Sequence, residues 1–327
     1  MRSSQSLNTD GVRPGAVAPQ LPRQRHPGAV CVVSPMGGVG KTTIACLLGY
    51  YLARRTRKRV LLIDADPACS MSIAYGFGPD VVNKPGNTIY NLLRPGQWLR
   101  GMKPELGKYA FQPELKGTPP NLRVIPGNFH LNGLNTEIGA LFDRDGGKRI
   151  GQFRDYCGRV VRTLGDEYEY VVVDCPPAAT ILTTAMLYAC SCYLAVLRPE
   201  KCAIYGMSHL MQWAAGAGRP RCLGYVLNNP GRAATGVAVK SRAWQRTARD
   251  LDARVLSLLG PEEKTVLGAA PSLGEVPHLD AVARFFMLDP KRSFVDLRRR
   301  TPGPPSVHKC VTALVTKVVQ RMEAYRE

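Results

Sequence analysis

The sequence predicts an α/β fold, a mostly parallel, doubly wound sheet covered by helices on both faces. Three observations predict it. Apolar, β-branched runs bounded by turn residues recur along the chain, as strands buried on both faces require. Helical spacings separate those runs from about residue 29 to the C-terminus, and such alternation builds a parallel sheet. One strand-to-helix junction, Ser34-Pro35-Met36-Gly37-Gly38-Val39-Gly40-Lys41-Thr42-Thr43, is rich in glycine and ends in Lys-Thr-Thr.

In chain order, residues 1–28 combine Ser, Pro, Gly and Gln with Arg2, Arg13, Arg23, Arg25 and His26 and hold almost no large apolar side chain. Such a segment cannot bury enough surface to order itself, so a disordered basic tail is expected there and one domain over 29–327. Ala29 to Val33 is the first strand, and Ile44 to Leu52 reads as the first helix. Strand, glycine loop, helix is the context of a phosphate-binding loop. Glycines let backbone N–H groups turn around a phosphate, and the helix N-terminus adds its dipole. Lys41 would meet the β- and γ-phosphates, and the Thr42 hydroxyl would hold Mg²⁺. The expected fold is therefore a three-layer P-loop NTPase sandwich.

After the first helix come Arg54, Arg55, Arg57, Lys58 and Arg59, then the strand Val60 to Ile63 ending in Asp64-Ala65-Asp66-Pro67. Carboxylates at the C-terminal edge of a strand beside a phosphate loop stand where open α/β sheets bind ligands. Residues 78–120 are dense in Gly, Pro, Lys and Arg and read as a long surface excursion, with a short helix at Thr88–Leu93. Asn121 to Gly127 restores a strand. Tyr170 to Val173 is a third buried run, closed by Asp174-Cys175-Pro176-Pro177, and its aspartate is placed to hold Mg²⁺. Cys175 reads as a small packing residue. Further strands are expected at Cys192–Leu197, before Pro199, and at Arg221–Leu227, before Asn228-Asn229-Pro230.

Gly37-Gly38-Val39-Gly40-Lys41-Thr42-Thr43, Asp64-Ala65-Asp66-Pro67 and Asp174-Cys175-Pro176-Pro177 together resemble the motifs of ParA/MinD-type deviant Walker A ATPases. The segment from Asn121 through Leu131 to Glu137 is more similar to ParA proteins than to MinD. The resemblance implies ATP and Mg²⁺ as cofactors and an ATP-dependent homodimer. It implies that Lys41 and Asp66 act in hydrolysis, Asp66 orienting or activating the attacking water. Gly37, Gly38, Val39, Gly40, Lys41, Thr42 and Thr43 would bind nucleotide, and Thr42, Asp64 and Asp174 would serve Mg²⁺. Asn228 would read the adenine edge, with backbone from a later turn, either Ala270-Pro271 or Val276-Pro277-His278. Pro277 is carried as the nucleotide-binding choice. The family's signature lysine is replaced here by Met36, which implies slow turnover unless another cation serves. Arg25 and the Arg54–Arg59 cluster are the candidates.

The chain of 327 residues carries a formal net charge of +19, and that excess points to an anionic partner, nucleic acid first. Arg242, Arg246 and Arg249 are spaced i, i+4, i+7 on an expected helix, with Arg232 and Lys240 before it. Lys291, Arg292 and Arg298-Arg299-Arg300 follow later; these arginines are the DNA-binding candidates. No run of eighteen or so apolar residues or secretory signal is seen, and ten scattered cysteines without a CxxC pair suit reduced thiols in a cytoplasm. The segment Ser306–Glu327 has Val307, Val311, Leu314, Val315, Val318 and Met322 at helical spacing. Lacking Trp and Phe on that face, it is expected to dock on the domain rather than on a membrane. The function expected is a ParA-type, ATP-dependent DNA partition protein, cytoplasmic and nucleoid-associated, with a ParB-like partner. The alternatives are a MinD-like membrane-cycling regulator and a nucleotide switch with little ATPase activity.

Overall fold

Side chains alternate between the two faces of a strand, and in β1 (His26–Val33) both sets are buried from Gly28 onward. Ala29, Cys31 and Val33 enter one apolar core while Val30 and Val32 enter another, so this strand must lie between two layers. In the computed structural model, which describes residues 26–83, 86–99, 105–115, 117–145, 148–198, 200–228, 242–276 and 307–326, it does. The strand begins three residues earlier than its apolar run, at His26.

Among the described residues, seven parallel strands form the sheet in the order β3-β2-β4-β1-β5-β6-β7. They are β1, β2 (Val60–Asp64), β3 (Leu122–Ile125), β4 (Tyr170–Asp174), β5 (Cys190–Leu197), β6 (Arg221–Asn228) and β7 (Ser272–Val276). One face is covered by α1 (Lys41–Thr56), α2 (Ser70–Ala74) and the C-terminal helix, whose apolar residues share a core with Val30, Val32 and Leu62. The other face is covered by helices at 131–145, 148–165, 181–189, 201–216, 242–258 and 261–267. This is the expected three-layer P-loop sandwich, wound both ways from β1.

The segment 78–120 differs from the expected surface excursion. Besides the helix at Ile89–Leu93, it holds short helices at Pro79–Val82 and Pro95–Trp98. Ile89, Leu92, Leu93, Trp98, Leu106 and Tyr109 are buried in the main core. Trp98 stacks near Phe153 with ring centroids 5.6 Å apart, and Tyr156 donates its hydroxyl proton to the Leu92 carbonyl at 3.0 Å. Its Gly/Pro-rich composition conceals these anchors, because a few apolar residues suffice to tie a loop down.

The C-terminal helix (Val307–Ala324) lays Val311, Leu314, Val315, Val318 and Met322 into the core beside α1 and β7, each at most 2% exposed. Buried Arg321 donates to the carbonyls of Leu223, Ala270 and Pro271 and locks the helix to the sheet. Burying each such side chain contributes about 1.5–3 kcal/mol, so this face is committed to the domain, as expected. Among the described residues no helix is long and apolar enough to cross a membrane.

Candidate functional site

Parallel strands end together, and the C-terminal ends of β1, β2 and β4 bring the three motifs to one edge. Val32 pairs with Asp174 across β1 and β4, and Asp64 pairs with Asp174 across β2 and β4. The phosphate loop leaves β1 two residues beyond that level. Gly38 has φ +65° and Gly40 has φ +89°, both left-handed, and a Cβ on Gly40 would collide with Asn228. Glycine is thus required twice in the loop. The backbone N–H groups of Gly37 to Gly40 make no hydrogen bond of full geometry among the described residues, Gly37-Gly38 forming only a loose turn, while α1 starts at Lys41 at the same edge. Lys41 is buried at 6% exposure; Thr42 and Thr43 are half-buried beside it.

The two buried aspartates differ in their partners. Asp64 Oδ2 accepts from the Ser72 N–H at 2.8 Å and the Ser72 hydroxyl at 2.6 Å, and Oδ1 accepts from the Asp66 N–H at 3.3 Å. Ser72 Oγ in turn accepts from the Gly127 N–H at 2.7 Å. Burial pushes Asp64 up to about 7 against the pull of the Ser72 donors. Asp174 is fully buried, and among the described residues neither of its oxygens meets a donor at full hydrogen-bond geometry, the Thr42 hydroxyl being the side chain that comes nearest to doing so. Burial, then the Asp64 charge, holds its carboxyl well above the usual range, and the nearby Thr42 hydroxyl and Lys41 offset only part of this. A buried carboxylate left open beside a hydroxyl suits a hard divalent cation, so Thr42 and Asp174 fit Mg²⁺. Asp64 mainly organises the loop carrying Asp66. Asp66 itself is half-buried, with Oδ1 accepting from the Ala68 N–H at 2.9 Å. It borders a cleft of about 480 Å³ with Phe129, Asn132, Pro177 and Thr180.

Asn228 ends β6 and donates through Nδ2 to the Val39 carbonyl at 2.7 Å, so its amide supports the phosphate loop. Of the two turns left open for adenine, Ala270-Pro271 lies at the opposite end of the sheet, its carbonyls taken by Arg321. Val276 pairs with Asn228, so the chain after Val276 leaves beside the site; Pro277 and His278 lie outside the described residues. Arg232, Lys240, Lys291, Arg292, Arg298, Arg299 and Arg300 also lie outside them, as do Arg25 and the rest of the N-terminal tail through residue 25. Arg242, Arg246 and Arg249 share the helix Arg242–Leu258, with Arg246 and Arg249 exposed.

The Arg54–Arg59 cluster does not supply a cation to the loop of its own subunit. It closes the far end of the 16-residue α1, about 24 Å away. Arg59 pairs there with Glu167, and Arg55 with the Thr312 carbonyl. Met36 is half-buried, its sulfur 3.5 Å from the Cys202 sulfur. Cys175 is buried against Cys31, as a packing residue should be. Sequence reading missed Ser72, Gly127 and Arg198. Only Arg198 had a signal, a cation at the end of a strand adjoining β1; it donates to the Gly38 carbonyl at 2.7 Å.

A glycine loop between β1 and α1, with aspartates ending the two strands beside it, defines a P-loop fold of nucleotide-binding type. Known proteins agree. The chain belongs to the AAA_31 family, an AAA domain, whose model matches residues 28–216. It is 34% identical over 183 residues to the chromosome partitioning protein ParA of Caulobacter vibrioides, covering 56% of this chain and 60% of that one. It is 33% identical over 181 residues to the chromosome-partitioning ATPase Soj of Treponema pallidum, covering 55% and 60%. A putative replication protein A of Rhizobium rhizogenes is 33% identical over 196 residues, covering 58% and 46%. The chain thus spans between 46% and 60% of the length of these relatives. In fold it is similar to apo McdA of Cyanothece, with TM-score 0.66, 16% identity and coverage of 89% and 98%. The cell division ATPase MinD of Pyrococcus furiosus gives TM-score 0.58, 20% identity and coverage of 89% and 98%.

Proposed function

We propose that this chain is a ParA-type partition ATPase, in which Mg-ATP switches dimerisation and nonspecific DNA binding. One observation carries the reading: the glycine loop, the open Asp174 and the Asp64–Asp66 pair converge at one sheet edge, all within residues 28–216 matched by the family model, in a chain similar to ParA and Soj. In this reading Lys41 and the loop amides bind the phosphates, Thr42 and Asp174 hold Mg²⁺, and Asp66 orients water. Asn228, with Pro277, borders the base. The net charge and the exposed Arg246 and Arg249 support a DNA surface, Arg242 and Arg298–Arg300 extending it. A ParB-like partner would stimulate hydrolysis and so release DNA, and the protein would sit on the nucleoid in the cytoplasm.

Titration calorimetry should show Mg-ATP binding to the wild type and none to Lys41→Ala. Equal binding by the variant would refute the site. DNA affinity should fall roughly a hundredfold or more between about 50 and 200 mM salt, and neutralising Arg242, Arg246 and Arg249 together should flatten that slope. An unchanged slope would remove this helix from the interface.

Met36 favours a second reading, a nucleotide switch with little hydrolysis. Its thioether, set against Cys202, offers no charge to a phosphate. A cross-subunit cation of the arginine-finger kind can be worth roughly 10³ to 10⁵ in rate. Met36→Lys should therefore raise DNA-stimulated turnover or ATP-dependent dimerisation. Wild-type turnover at the usual rate of such ATPases, unaltered by the substitution, would count against it. The apolar face of the C-terminal helix is buried in the domain, which favours the ParA-type reading over the MinD-like membrane alternative.

A further inference from the structure

Arg198 follows β5 directly, and β5 lies beside β1 with Ala195 paired to Val33. Its guanidinium consequently stands at the edge where the phosphate loop begins, and Nη2 donates to the Gly38 carbonyl at 2.7 Å. Its Nε is buried without an acceptor among the described residues. The next carbonyl of the loop is held too, because Asn228 Nδ2 donates to Val39 O at 2.7 Å.

These two contacts do more than fasten the loop. In a trans peptide the carbonyl and the following N–H point in opposite directions. Pinning the Gly38 and Val39 carbonyls from outside therefore sets the directions of the Val39 and Gly40 N–H groups, neither of which makes a hydrogen bond of full geometry among the described residues, the Gly37-Gly38 turn being only loosely closed. Gly38 bears a left-handed φ of +65°, a backbone that would otherwise be free to flip. Of the two holders, Asn228 is neutral and Arg198 is a permanent cation. It stands next to a loop whose residue 36 is neutral and whose own-subunit basic cluster lies at the far end of α1.

We propose that Arg198 is the positioning cation of the phosphate loop. From within the same subunit it orients the Val39 amide toward a nucleoside triphosphate and supplies positive charge that Met36 does not. This rests on the nucleotide-site reading above, and the test separates the two.

Mg-ATP and Mg-ADP affinities of the full chain would be measured by calorimetry for wild type, Arg198→Ala, Arg198→Gln, Arg198→Lys and Lys41→Ala. Urea melts would establish that each is folded. Losing a charge-assisted contact should weaken Mg-ATP binding roughly ten- to hundredfold in Arg198→Ala. Arg198→Gln can still donate to Gly38 but is uncharged, so it should bind nearly as weakly as Arg198→Ala; Arg198→Lys should recover most of the affinity. A purely mechanical role would rank Gln with or above Lys, and that order overturns the proposal. Affinities unchanged by Arg198→Ala or Arg198→Gln, while Lys41→Ala binds nothing, overturn it and leave the nucleotide site standing. Wild type without nucleotide affinity overturns both. Should Arg198→Ala fail to fold, the Lys-against-Gln order decides alone.

Discussion

The ends of β2 and β4 place two aspartates at the same level of adjacent strands, yet they are built for different tasks. Asp64 is held by close donors from Ser72 and Asp66, whereas Asp174 makes no hydrogen bond of full geometry among the described residues and has only the Thr42 hydroxyl and Lys41 near it. Leaving a buried polar group unpaired is costly, and a fold tolerates it where a ligand completes the site. The difference assigns work within one motif set. In the proposed reading Asp174 would take a cation; Asp64, through Ser72 and Gly127, ties the loop carrying Asp66 to the end of β3.

Asp174→Asn offers the largest contrast. The ratio of ATP affinity with Mg²⁺ to that without it should collapse to about one, because the open oxygen pair is lost. Stability of the nucleotide-free chain in urea should not fall, since burial already disfavours the charged form. A variant that keeps its Mg²⁺ dependence would break the comparison.

Ser72→Ala should do the reverse. It strips Asp64 Oδ2 of its hydroxyl donor and leaves the Gly127 N–H unpaired, at a cost of about 1–3 kcal/mol in the nucleotide-free chain. Mg²⁺ dependence should persist. If Ser72→Ala abolishes that dependence while Asp174→Asn spares it, the two roles are exchanged.

The smallest effect is a pH slope. With Asp64 raised to about 7, the folded chain without metal holds a proton that the unfolded chain releases from the usual carboxylate range upward. Its contribution to stability therefore declines as pH rises toward about 7 and is level above. His26, lowered by burial, works in the opposite sense at acid pH, so the contribution is read as the difference between wild type and Asp64→Asn. Urea midpoints across this window should converge once Mg-ATP is bound, because the cation favours the ionised form. A wild type that gains stability with pH relative to Asp64→Asn would refute the assignment.

Much of this site was legible beforehand because its signals are local. A glycine loop followed by Lys-Thr needs only its own residues to announce phosphate binding, and an aspartate ending an apolar run announces a sheet edge. The parallel alternation then had one natural layout, with every such end on the same side. Spacing along Val311, Leu314, Val315, Val318 and Met322 likewise marked an apolar helix face, although its burial beside α1 and β7 is a matter of packing.

What only tertiary structure decided are pairings between residues distant in sequence, for which no local pattern exists. Arg198 meets Gly38 because β5 was laid beside β1, and Asn228 reaches Val39 across one more strand. The Arg54–Arg59 cluster cannot serve the loop of its own subunit because a helix that begins at the loop must end far from it. Ala270-Pro271 cannot serve it because a parallel strand starts at the opposite edge from where it ends. Composition named the charges and the motifs; strand order determined which of them meet, since burial and hydrogen bonding act through space and not along the chain.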